Sequence, residues 1–208
     1  MKRAFTLFLA LAMVLTLAGI SPAARAEDEF DIGTTQDNTY WNETLKIGCA
    51  LDENWYFFNE EEILQANSMT VEKLDGKLAE MVKDGGSMID MFAQNLETGA
   101  TVNLVVERLS VVNSLIIDEK KYLDLSQPTL EESMAQLGIE DVEITQESMD
   151  FLGQEHQSIV ITGSFNGVPV CETLVVVKSG RNMTVITVFS VIEGEAEEVL
   201  AGFFDSLD

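Results

Sequence analysis

Two runs near the C-terminal end, Leu174-Val175-Val176-Val177 and Met183 to Ile192, are apolar at nearly every consecutive position. A strand with one face in water alternates between apolar and polar residues. A run apolar on both faces has to lie inside a sheet that is covered on both sides. Asn166-Gly167 joins segment 158–165 to segment 168–177 with the two-residue turn favoured in hairpins, and Ser179-Gly180-Arg181-Asn182 reverses the chain again. The three segments are therefore predicted to form a meander. The rest of the chain must supply two layers to cover it.

The remaining sequence offers candidates for those layers. Leu45, Ile47, Cys49 and Leu51 share one face of a strand, which turns at Asp52-Glu53-Asn54 before the anchors Trp55, Tyr56 and Phe57. Val71, Leu74, Leu78, Met81 and Val82 recur at helical spacing, with Thr70 as N-cap and Gly85-Gly86 as the stop. Met88 to Asn95 and Thr101 to Leu109 read as a hairpin around Glu97 to Ala100, and Val111 to Ile117 read as a continuation of that sheet. Thr129 and Glu132 form a capping box that opens a helix ending at Gly138. A closing helix gathers Val199, Leu200, Phe203, Phe204 and Leu207 on one side. The sum is an α+β domain, an antiparallel sheet flanked by α-helices.

The first 26 residues have the form of a secretory signal. Lys2 and Arg3 precede an uncharged stretch from Ala4 to Ile20, Pro22 breaks it, and Ala24-Arg25-Ala26 fits a small-x-small cleavage site. The expected product is secreted or exposed in the cell envelope, with no transmembrane anchor after cleavage. Residues 27–39 read as a loose acidic arm and residues 40–208 as one domain, since no linker or repeat interrupts them. Cleavage removes three basic residues and no acid, which leaves nine basic residues against 36 acidic ones, a formal balance of −27. Such a field disfavours nucleic acid and anionic membrane surfaces as partners, and attracts divalent cations weakly. An acidic surface that keeps an exported protein soluble is the simpler reading.

Candidate chemistry is sparse. Cys49 and Cys171 are too few for a four-ligand zinc site. Export permits a disulfide between them, and two buried free thiols are the other reading. His156 is the single histidine, and no nucleophile motif accompanies it, so it reads as a surface histidine rather than a general base. The acidic runs at 59–63 and 118–120 lack calcium-loop spacing. No Gly-rich phosphate loop follows a strand, and no cofactor is expected. Trp41, Trp55, Tyr56 and Phe57 could line a ligand groove, or pack beside the first strand as core.

The pattern of apolar positions resembles the PsbP-like family, whose fold is an α/β/α sandwich. Tyr40, Asn42, Leu45, Ile47, Leu51 and Trp55 carry the likeness, together with Phe151-Leu152-Gly153-Gln154 and the run Val-Ile-Thr-Val-Phe-Ser at 185–190. Exported bacterial proteins of unknown function share that fold. What the resemblance implies is a scaffold without catalytic activity that binds other proteins. The expected function is accordingly an exported interaction or accessory module, with another exported protein as partner. The alternative is an extracellular binder of a small molecule or divalent cation.

Overall fold

The computed structural model describes residues 33–63, 65 and 87–206. The signal sequence, the first half of the acidic arm and the helix expected over 71–82 lie outside the described residues, as does Leu207.

The meander is present and longer than its apolar runs. Strands β1 (Thr34–Gln36), β2 (Thr39–Asn42) and β3 (Ile47–Ala50) open the chain, followed by β4 (Trp55–Phe57), β5 (Ser87–Asn95) and β6 (Thr101–Arg108). Helices α1 (Val111–Ile116) and α2 (Glu119–Leu137) come next. Then follow β7 (Glu140–Phe151), β8 (Gln154–Phe165), β9 (Val168–Ser179), β10 (Asn182–Ser190), helix α3 (Glu195–Leu200) and β11 (Phe203–Phe204). Seven strands form one antiparallel sheet in the order β4-β5-β6-β10-β9-β8-β7, and four form a smaller one in the order β1-β2-β3-β11. Every residue of β10 after Asn182 is buried. Ile186 and Val188 enter the core beneath the small sheet and α3, while Met183, Val185 and Phe189 enter the core beneath α2. Burial on both faces is what the unbroken apolar run requires.

Among the described residues the two faces are not covered alike, and the arrangement is not clearly a helix-flanked sandwich. Helix α2 covers the outer strands of one face, while the other is covered by the small sheet and α3, so the fold is sheet-rich. The predicted closing helix stops at Leu200, and Phe203 and Phe204 pair instead with Cys49 and Gly48. Close backbone approach explains the change. Ala50 N–H donates to the Gly202 carbonyl at 2.9 Å, and a side chain on Gly202 would meet the Ala50 carbonyl. The Phe204 ring lies over Gly48 and stacks on Trp41 at 5.8 Å. A methyl group at Gly48 would occupy the space of that ring. Gly48→Ala is therefore expected to cost about 2 kcal/mol, the scale of core overpacking. Urea unfolding that leaves the midpoint unchanged would show that Phe204 can leave its stack freely.

Three further expectations change. Part of the arm is ordered as β1, paired with β2. The helix expected from Thr129 begins ten residues earlier, where the Asp118 carboxylate caps it by accepting from Lys121 N–H at 2.8 Å. Pro128 lies inside it. A proline there normally breaks a helix, but Tyr122, Leu123, Ser126, Leu130 and Met134 hold one buried stripe on both sides of it. Strand β7 was not foreseen. Its Val142 and Ile144 alternate, but its acids mask the pattern; Glu140, Glu143, Glu147 and Asp150 are exposed on this edge strand, where charge discourages pairing with other chains.

Candidate functional site

The segment read as a third strand of the hairpin sheet, Val111 to Ile117, is instead α1 followed by a residue of extended backbone. Ser110 Oγ accepts from Asn113 N–H at 3.1 Å and starts the helix. Leu109 and Ile117, on either side of α1, are both buried in the core beneath α2. The helix is thus pinned at its ends.

Its orientation is inverted. At about 100° per residue, Val111, Leu115, Val112 and Ile116 fall within an arc of roughly 140°, with Asn113 and Ser114 outside it. An ordinary surface helix turns that apolar arc inward. Here all four apolar residues are exposed, Leu115 by 81% and Val112 by 66%, and none of the six is buried. Asn113 and Ser114 are half-buried.

Basic side chains surround the helix. Lys178 Nζ donates to the Ser114 and Ile117 carbonyls at 2.7 and 2.6 Å, and Lys121 Nζ to the Ile116 carbonyl at 3.3 Å. Arg181 Nε donates to the Leu109 carbonyl at 3.0 Å. Cations at a helix C-terminus complement its dipole. With Arg108 just before α1 and Lys120 just after it, this end of the sheet holds five of the six lysines and arginines among the described residues. Nearby acids are engaged. Asp118 caps α2, Asp124 pairs with Lys120 at 3.1 Å, and Glu119 accepts from the backbone N–H groups of Lys178 and Gln157 at 2.9 and 3.1 Å.

The residues nominated from sequence do not converge. Trp55 and Phe57 point into the core, while Tyr56 points the other way, 43% exposed, and its hydroxyl donates to the Glu62 carboxylate at 2.9 Å. Trp41 lies in the small sheet, and its Nε1 donates to Glu43 at 2.9 Å. Cys49 and Cys171 are unpaired and sit in different sheets. Burial pushes both thiols up, which favours the protonated form. His156 is not a surface histidine: it is 8% exposed, and its Nδ1 lies 2.9 Å from Glu119 Oε1. That contact ties the first turn of α2 to β8. Among the described residues no group of three His, Cys, Asp or Glu side chains could hold a metal ion.

Two carboxyls are buried away from α1. A bulge in β5 between Ile89 and Met91 turns Asp90 toward the small sheet. There it accepts from Tyr40 Oη at 2.5 Å, Asn42 Nδ2 at 2.6 Å and Gly33 N–H at 2.7 Å. Burial pushes its carboxyl up, against the pull of those three donors. Glu172, 3% exposed, lies between Ile161 and Phe189 on the neighbouring strands, with Oε2 unpartnered. Burial alone pushes it up to about 8. Thr187 Oγ1 and Asn103 Oδ1, opposite each other on β10 and β6, are also without a hydrogen bond.

No family model matches this chain, and no curated protein matches it. Two solved structures resemble it in outline. One is LpqN, involved in cell envelope biogenesis of Mycobacterium tuberculosis, at 11% identity and a TM-score of 0.41, over 75% of this chain and 76% of that one. The other is a Bacteroides thetaiotaomicron protein at 11% identity and a TM-score of 0.42, over 84% of this chain. The match spans half the length of the second protein. Among the described residues no helix is long and apolar enough to cross a membrane.

Proposed function

We propose that the chain is an exported docking module without catalytic activity, built on a PsbP-like arrangement, which presents α1 to a surface outside itself. The observation that carries this reading is the inverted helix. Four aliphatic side chains stay in water on a helix whose polar side faces the domain. Burying a large aliphatic side chain is worth about 1.5–3 kcal/mol, so leaving four exposed is costly unless something else covers them. Contiguous apolar patches of this kind mark interaction sites. The role is that of an accessory protein, in the cell envelope or secreted. The alternative, a small-molecule or cation binder, draws no support from Trp41, Trp55, Tyr56 and Phe57, which point to different sides of the fold.

Fractionation of producing cells tests the reading. The wild-type chain is expected in the envelope fraction, and Leu115→Asp/Ile116→Asp in the soluble exported fraction, with both melting at the same temperature. Equal distribution of the two proteins would remove α1 as the docking element.

A further inference from the structure

We infer that the surface α1 docks on is an anionic lipid headgroup layer, an inference that rests on the docking role assigned to α1. The formal charge of the chain, −24, argues against this at first sight. Charge acts locally, however. At physiological ionic strength the field of an exposed group is screened within about 8 Å, so the composition of the end carrying α1 decides what can approach it. That end holds five basic side chains, Arg108, Lys120, Lys121, Lys178 and Arg181, against the four acids Glu107, Asp118, Glu119 and Asp124, so its local balance is slightly positive in a chain that is strongly acidic as a whole.

The shape of the site points to lipid rather than to a protein groove. Six residues span about 9 Å of helix axis, and their apolar arc faces outward. A stable protein interface buries about 800 Å² on each partner, and the residues flanking α1 are charged instead of apolar, Arg108 before it and Asp118, Lys120 and Lys121 after it. A short helix lying flat, aliphatic outward and followed by the exposed Lys120 and Lys121, suits an interface where side chains enter the acyl boundary by about 5–10 Å and cations stay at phosphate level. Lys120 is well placed for this, with a side chain 64% exposed. Lys121, also exposed, sits at the Ile116 carbonyl at the C-terminal end of α1, while Lys178 and Arg181 hold its inner side. The polar side of α1, Asn113 and Ser114, stays against the domain and needs no dehydration on docking.

The test is vesicle co-sedimentation with residues 27–208, which contain the whole described fold. Vesicles of pure phosphatidylcholine and vesicles with 30% phosphatidylglycerol are compared. Binding to the anionic vesicles is expected at least tenfold tighter than to the neutral ones, and weakened by added salt. Leu115→Asp/Ile116→Asp is expected to abolish it, and Lys120→Glu/Lys121→Glu to weaken it at least tenfold. Both changes are on the surface, and unchanged melting temperatures would establish that the fold survives. Equal binding to both vesicle types, or binding indifferent to Leu115, overturns the inference. So does concentration-dependent self-association lost in the aspartate variant, which would make a second copy the occupant. If vesicles fail while envelope fractionation still depends on Leu115, lipid is excluded and the docking role stands. If both fail, the docking role falls as well.

Discussion

Replacing Asp90 by alanine is expected to lower the free energy of unfolding by about 3 kcal/mol, since it takes the carboxylate acceptor away from buried donors. The carboxylate joins the two sheets. Tyr40 and Asn42 come from β2, Gly33 lies just before β1, and Asp90 itself lies in β5 of the large sheet. Removing it takes away the carboxylate acceptor of the Tyr40 hydroxyl, the Asn42 amide and the Gly33 N–H, in a site where Tyr40 and Asn42 are almost fully buried. Relief of a desolvated charge offsets part of the loss, since burial holds the carboxyl above its usual range. Asp90→Asn keeps the shape but turns an amide donor toward other donors, and it should recover little. Tyr40→Phe removes one bond and should cost about 1 kcal/mol. Chemical denaturation of the three variants decides the matter. A loss under 1 kcal/mol for Asp90→Ala would mean that apolar packing alone holds the sheets together.

Glu172 is expected to act in the opposite sense, so that its removal stabilises the protein. Its carboxyl has an ordinary value of 4.5 and is pushed up to about 8 in the folded chain. Below 4.5 it is protonated in both states and its full contribution is present. Between those values the folded chain retains a proton that the unfolded chain has released, so stability falls as pH rises. The slope approaches about 1.4 kcal/mol per pH unit, and it vanishes above the folded value, where both states are ionised. Asp90, also raised, adds a slope of the same sign. Glu172→Leu replaces an unpartnered carboxyl between Ile161 and Phe189 with an apolar side chain of similar volume. It should raise stability at pH 8 by a few kcal/mol, since a buried charge without a partner is costly, and it should flatten the pH profile. Thermal melts at pH 5 and pH 8 that agree for the wild type, or a variant no more stable at pH 8, would refute this account of Glu172.

The parts of the fold legible in the sequence are those whose partners lie close along the chain. The Asn166-Gly167 hairpin, the β5–β6 hairpin and the buried centre of β10 could be read because a two-residue turn fixes register and an apolar run marks burial on both faces. Val111 to Ile117 was misread for a physical reason. Two valines and two isoleucines read as a strand that must hide its side chains, and the Ser110 cap, the signal that could have corrected it, is a single hydroxyl. The outward turn of α1 had no trace in its own residues, because its inner side is fixed by Lys178 and Arg181 from the other end of the sequence.

The same division holds for the candidate site. Arg108, Lys120 and Lys121 were visible beside the aliphatic run, but whether those aliphatic residues were core or surface depended on which side the sheet lay. His156 looked exposed because its local sequence is polar, and only the packing of α2 on β8 brings Glu119 to it. Asp90 looked like one acid among many until the bulge in β5 turned it toward Tyr40. By itself the sequence determined which segments must be buried on both faces, where neighbouring strands turn, and the acidic character of the chain, since these follow from composition and nearest neighbours. Tertiary structure alone decided which layer covers each face, which polar groups are trapped between layers, and which aliphatic residues remain in water. Those outcomes depend on contacts between residues some 50 to 70 positions apart, and no local pattern encodes such contacts.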